Sequence, residues 1–161
     1  MITADLLQIL ASFKGQRVTL IGVGNSFRRD DGFGPALVRA LGRHQADLDW
    51  ILIDAGTAPE NFTATVRRSE PDVVVIADCG DLGMQPGLMR IAKVGELAGG
   101  GLSTHTPSLS LVADIWQKEL GVTVYVLAIQ PLEIAFGEGL SVAVRARLQA
   151  LVEVVVESAG R

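Results

Sequence analysis

Val73-Val74-Val75-Ile76-Ala77 is an apolar run with no polar interruption, set between Pro71-Asp72 and Asp78. A strand with one face in water alternates apolar and polar positions; a run without alternation is buried on both faces, as in the middle of a parallel sheet. Parallel neighbours cannot be joined by a tight turn, so the rest of the chain must supply crossover helices. It has the patterns to do so. Arg17–Val23, Trp50–Asp54 and Val122–Ile129 read as further strands. Apolar residues recur at helical spacing over 3–14 (Leu6, Leu7, Ile9, Leu10, Phe13) and over Pro35–Leu41 (Leu37, Val38, Leu41). Pro59 and Glu60 open a helix towards Arg68, another follows Pro107, and Ser141–Val156 is a long terminal one. No crossover helix precedes Leu88–Ala92, which predicts an antiparallel edge strand. The expected fold is α/β in three layers, with about five strands in a mostly parallel, twisted sheet and helices on both faces.

A chain of 161 residues is one domain by size and long enough to bury a core, and an apolar share of 48% argues against disorder. No apolar run approaches the ~20 residues that span a bilayer. Met1–Leu7 carries an acid and no basic stretch, so it reads as a first helix and not as a signal peptide. One cysteine excludes an internal disulfide framework and fits the cytoplasm. A net charge of −4 argues against general nucleic-acid binding, which needs excess Lys and Arg. The expectation is a cytoplasmic monomer with neither a membrane nor a nucleic acid as partner.

Open α/β sheets bind their ligands beyond the C-terminal ends of the strands. Here those ends deliver Asn25 and Asp31 from the first strand, Asp54 from the second, Asp78 from the third and Gln130 from the last. His105 lies just before a helix start, on a loop that can fold back over the same edge. Carboxylates and an imidazole converging there would make a mixed O/N site suited to a borderline divalent cation, with positions left for water or substrate. Each residue also has a plainer role. Asp30 or Asp31 can cap the helix opened by Pro35; Asp54 and Asp78 can stabilise turns; His105 can cap its helix. Cys79 reads as a small buried hydrophobe, His44 as a surface residue, and Arg28 and Arg29 as solvated or facing an acidic partner.

The ordered motifs are Gly22-Val23-Gly24-Asn25-Ser26 with Asp30-Asp31-Gly32-Phe33-Gly34-Pro35, then Asp54-Ala55-Gly56-Thr57-Ala58-Pro59-Glu60-Asn61. Asp78 with Asp81-Leu82-Gly83-Met84-Gln85-Pro86-Gly87, Ser103-Thr104-His105 and Ile129-Gln130-Pro131 complete the set. Together they resemble the hydrogenase maturation endopeptidases, most closely the branch serving hydrogenase-3-type enzymes. The resemblance covers Val18 to about Ala135. It implies a protease that removes a C-terminal extension from the large-subunit precursor of a nickel–iron hydrogenase after nickel insertion. It also implies a metal-contacting and catalytic trio at Asp31, Asp78 and His105; Asn25, Asp54 and Gln130, collected at the same sheet edge by the strand ends, are the candidate substrate-binding residues. The nickel would come with the precursor, and another divalent ion can take its place when the precursor is absent. Some relatives have Glu where this chain has Asp31, and commonly Asp-Gly-Gly where it has Asp54-Ala55-Gly56.

No His-Glu-x-x-His, Gly-x-Ser-x-Gly or Cys–His signature is present, so no motif assigns a nucleophile. A nucleotide-binding module is the rival from another class, but Phe27 fills the third glycine position of a dinucleotide fingerprint. A non-catalytic partner that checks for nickel would carry the same trio.

Overall fold

The computed structural model describes residues 2–99, 103–104 and 107–160. In chain order the regular elements are α1 (Ala4–Ser12), β1 (Val18–Val23), α2 (Phe33–Gly42), β2 (Ile51–Gly56), α3 (Thr63–Arg68), β3 (Val73–Asp81), β4 (Met89–Lys93), β5 (Ser103–Thr104), α4 (Pro107–Leu120), β6 (Thr123–Ile129) and α5 (Val142–Ala159). The main sheet runs β2-β1-β3-β6-β4, with all neighbours parallel except β4, which lies antiparallel on β6 as the edge. The run Val73–Ala77 is the centre of that sheet, buried throughout and flanked by β1 and β6.

Alternate residues of the buried strands serve opposite faces. On one side Leu20, Val75 and Leu127 pack with Leu6 and Leu10 of α1, Leu37 and Leu41 of α2, and Leu148 and Leu151 of α5. On the other side Ile21, Ile76 and Val126 pack with Val66 of α3 and Leu109 and Trp116 of α4. Helix, sheet and helix therefore form three layers. Among the described residues two helix starts carry side-chain caps: Thr3 accepts from the Leu6 amide, and Ser141 from that of Val144. No helix among the described residues is long and apolar enough to cross a membrane.

Three of the boundary differences from the sequence expectation bear on the site. The third strand runs past Asp78 to Asp81, because Cys79 still pairs with Ile129 and the two residues of β5 pair with Gly80 and Asp81. The segment after Pro59 begins as a 3₁₀ turn, Pro59–Phe62, and becomes α-helical only at Thr63. Helix α2 starts at Phe33, so Pro35 sits in its first turn, where a missing N–H costs nothing.

Glycine sets how closely α2 approaches the sheet. A Cβ added at Gly34 would meet the backbone of Val23 and the carbonyl oxygen of Ala77, and one at Gly22 would meet the carbonyl of Gly34. The start of α2 thus lies directly on the ends of β1 and β3. The 3₁₀ turn Arg29–Gly32 before it also packs on β3.

Candidate functional site

Two carboxylates that adjoin in the sequence part company in the structure. Asp30 is fully buried and turns towards the segment 132–141. Its Oδ2 accepts from the amides of Leu132 (2.8 Å) and Glu133 (3.3 Å) and from the Ser141 hydroxyl (2.8 Å), while its Oδ1 accepts from the Ser141 amide (2.7 Å). Asp31 is half-buried and turns back on its own turn, where its Oδ2 accepts from the Asn25 amide at 2.9 Å. Neither caps α2: its N-cap residue is Gly32, with no side-chain cap bond. The expected cap is overturned because one carboxylate is consumed by a distant segment and the other by residue 25.

Asn25 completes that turn, its Oδ1 accepting from the Phe27 amide at 2.9 Å. Gly24, at φ +143°, permits the tight exit from β1; a Cβ there would strike the carbonyl oxygen of Asp31.

Asp78 occupies the far end of the buried run. Only 3% of it is exposed, and its Oδ1 accepts from the adjacent Cys79 amide at 2.8 Å. Among the described residues its Oδ2 is the buried side-chain oxygen with no hydrogen-bond partner. Burial drives its pKa up to about 7, the Cys79 amide opposes that rise, and the negative charge of Asp31 adds to it. The charge of Asp31 thus reaches Asp78 across the contact between the 3₁₀ turn and β3. A buried carboxylate with one free oxygen and a second carboxylate beside it will take up a proton or a cation. Among the described residues no group of three His, Cys, Asp or Glu side chains can hold a metal ion, so a cation here needs further ligands from elsewhere.

The remaining candidates fall into place differently. His105 lies outside the described residues. Asp54 is exposed; its Oδ1 accepts from the Gly56 amide at 3.1 Å and its Oδ2 stands 3.5 Å from Arg39. Gln130 receives the amides of Leu82 (2.6 Å) and Met84 (3.3 Å) on its Oε1, which holds the loop beyond β3 against the end of β6. The structure therefore bonds Asn25 to Asp31 and sets Asp78 within reach of the Asp31 charge, while the described bonds of Asp54 and Gln130 are internal. Cys79 is buried, and burial together with the negative charges of Asp78, Asp31 and Asp30 pushes its thiol up, away from thiolate chemistry.

Sequence reasoning missed how the segment 132–141 is anchored. Besides Asp30, the Arg28 Nε donates to the Ile134 carbonyl (3.1 Å) and Arg29 Nη1 to the Glu138 carbonyl (2.7 Å). Both arginines stay in contact with solvent, as expected, while each bonds this chain's own backbone, and Arg29 also stands 3.9 Å from the Glu133 carboxylate. The only local signal was Ser141, a good N-cap residue ahead of a long helical pattern.

Comparison with known proteins follows the same lines. A family model described as hydrogenase maturation protease (HycI) matches residues 35–158, a span that holds Asp78 and His105 and begins after Asn25 and Asp31. The hydrogenase 3 maturation protease of Escherichia coli K12 is 34% identical over 118 residues, covering 73% of this chain and 74% of that protein. The crystal structure of a [NiFe] hydrogenase maturation protease HycI from Thermococcus kodakarensis superposes with a TM-score of 0.83 at 28% identity, covering 93% of this chain and 97% of that one. The solution structure of an endopeptidase HycI from Escherichia coli superposes with a TM-score of 0.74 at 29% identity, over 85% and 87% of the two chains.

Proposed function

The chain belongs to the hydrogenase maturation protease family, and from that premise we propose that it is the endopeptidase that removes the C-terminal extension of a nickel–iron hydrogenase large-subunit precursor. The observation that carries the site assignment is the free Oδ2 of Asp78, buried next to the charge of Asp31. An unpaired buried carboxylate oxygen is costly, and a cation would relieve the cost. Two carboxylates cannot complete a coordination sphere, which suits a metal that arrives already held by the precursor's own ligands. In this reading nickel is part of the substrate. Asp31 and Asp78 contact it, His105 supplies the third contact, and the scissile peptide is fixed nearby so that attack by water becomes effectively unimolecular. Asn25 holds the turn that carries Asp31, and Asp54 and Gln130 line the approach of the extension. We place the step in the cytoplasm, with one copy of the chain acting on one precursor.

The test is mass spectrometry of the precursor, nickel-loaded and nickel-free, after incubation with wild-type protein or Asp78→Asn. A single C-terminal truncation is expected only for the nickel-loaded precursor with wild-type protein, and none with a folded Asp78→Asn. Normal cutting by that variant would remove Asp78 from the site. Cutting regardless of nickel would keep the protease and discard the metal contact. Binding without cutting would point to a checking partner.

A further inference from the structure

We propose that Phe27, Leu132, Phe136 and Val142 form a docking surface for an apolar segment of the protein substrate, continuous with the turn that bears Asn25 and Asp31. This rests on the reading of the chain as a precursor-processing protease, and it says how the precursor is gripped away from its metal. The four side chains are 58%, 61%, 86% and 82% exposed, among the largest exposures of any big apolar residue described. Scattered exposed leucines are ordinary on a protein surface, but these sit on stretches of backbone that are bonded to one another.

The gathering is imposed by backbone bonds. Gly137 donates to the Phe27 carbonyl at 2.7 Å and accepts from the Arg29 amide at 2.9 Å, forming a parallel bridge opposite Arg28. That bridge brings Phe27 and Phe136, the residues preceding its two members, alongside one another. Leu132 donates its amide to Asp30, and Val142 follows Ser141, which gives Asp30 both its amide and its hydroxyl. Asp30, Arg28 and Arg29 therefore order the segment through its main chain, leaving its large apolar side chains in water. A loop held this way loses little further entropy when a partner covers it, which is what a pre-organised binding surface requires.

Position selects the occupant. Phe27 is joined to Asn25 by the Asn25 Oδ1 contact to the Phe27 amide, and Asn25 in turn bonds Asp31. A polypeptide reaching Asp31 over this turn meets the two phenylalanines. Aromatic side chains are the residues that dominate protein–protein contacts, and apolar side chains rimmed by the charges of Arg28, Arg29, Glu133 and Glu138 have the apolar-centre, polar-rim make-up of a surface that takes an apolar stretch of chain.

The experiment compares wild-type protein with Phe27→Ser/Phe136→Ser and with Phe136→Leu, measuring precursor binding and steady-state cleavage. The double variant should weaken binding about tenfold or more and place its cleavage loss on KM and not on kcat, with the melting temperature held. Phe136→Leu should recover most of the affinity. Unchanged binding and KM in the double variant would overturn the docking surface. So would a wild-type protein that self-associates through the two phenylalanines while its grip on precursor is indifferent to them. A wild-type protein that binds precursor without cutting it would fail the protease reading, yet the binding comparison would still decide the docking surface.

Discussion

Asp30 and Asp78 are both aspartates taken out of water, 0% and 3% exposed, and the fold has dealt with them in opposite ways. Asp30 is surrounded by donors: three amides and a hydroxyl converge on its two oxygens. Asp78 has one amide and a second oxygen with nothing described against it. A buried charge met by enough hydrogen bonds is a structural fastener, whereas one left short of partners stores free energy that a ligand or proton can release. The contrast separates the part of the site that holds shape from the part that reacts. It also explains why adjacent carboxylates at 30 and 31 are tolerated: Asp30 is met by hydrogen-bond donors from one segment, while Asp31 bonds the Asn25 amide on the other side.

The largest effect expected from this contrast is on stability at the fastener. Asp30→Ala leaves three partly buried amides and a hydroxyl without their acceptor, and should cost about 2–4 kcal/mol in denaturant unfolding, freeing 132–141 to exchange its amide hydrogens. A cost under about 1 kcal/mol would mean that the segment is held by something else.

At Asp78 the sign is reversed. Its pKa rises from an ordinary 3.8 to about 7 on folding, so between those values the native state binds more protons than the unfolded chain, and stability falls as pH rises through that window. Asp78→Asn cannot ionise. It should match wild type near pH 4 and exceed it by about 1–3 kcal/mol at pH 8, after allowing for the unpaired N–H it introduces. Melting curves across pH 4–8 check this, and parallel curves for the two proteins would refute the stored charge.

The smallest effect belongs to the exposed pair. Arg39 and Asp54 stand 3.5 Å apart with both side chains substantially in solvent, so Arg39→Ala should change stability by less than about 1 kcal/mol, and by less again in high salt. A larger loss would put Asp54 with the buried carboxylates instead of at the surface.

Much of this architecture was legible in advance. The unbroken run at Val73–Ala77 required a parallel centre, the missing crossover before β4 required an antiparallel edge, and both are found. The strand ends pointed to Asp31 and Asp78, and the fold sets them within electrostatic reach of each other. The division of labour between Asp30 and Asp31 was not legible. Asp30 meets its partners at Leu132, Glu133 and Ser141, more than a hundred positions away, and no periodicity or cap pattern encodes a contact of that separation. Asp54 and Gln130 qualified as candidates by standing at strand ends, but which way a side chain turns there depends on Arg39 and on the loop at 82–84.

By itself the sequence determined what is local and periodic: which segments are helix or strand, which strand lies at the centre, and which residues reach the C-terminal edge of the sheet. Those follow from side-chain spacing and from the need to bury apolar surface. Only the tertiary structure decided which buried carboxylate is satisfied and which is left wanting. That depends on the donors that distant segments bring within 3 Å or so, and hydrogen bonds act over no longer range.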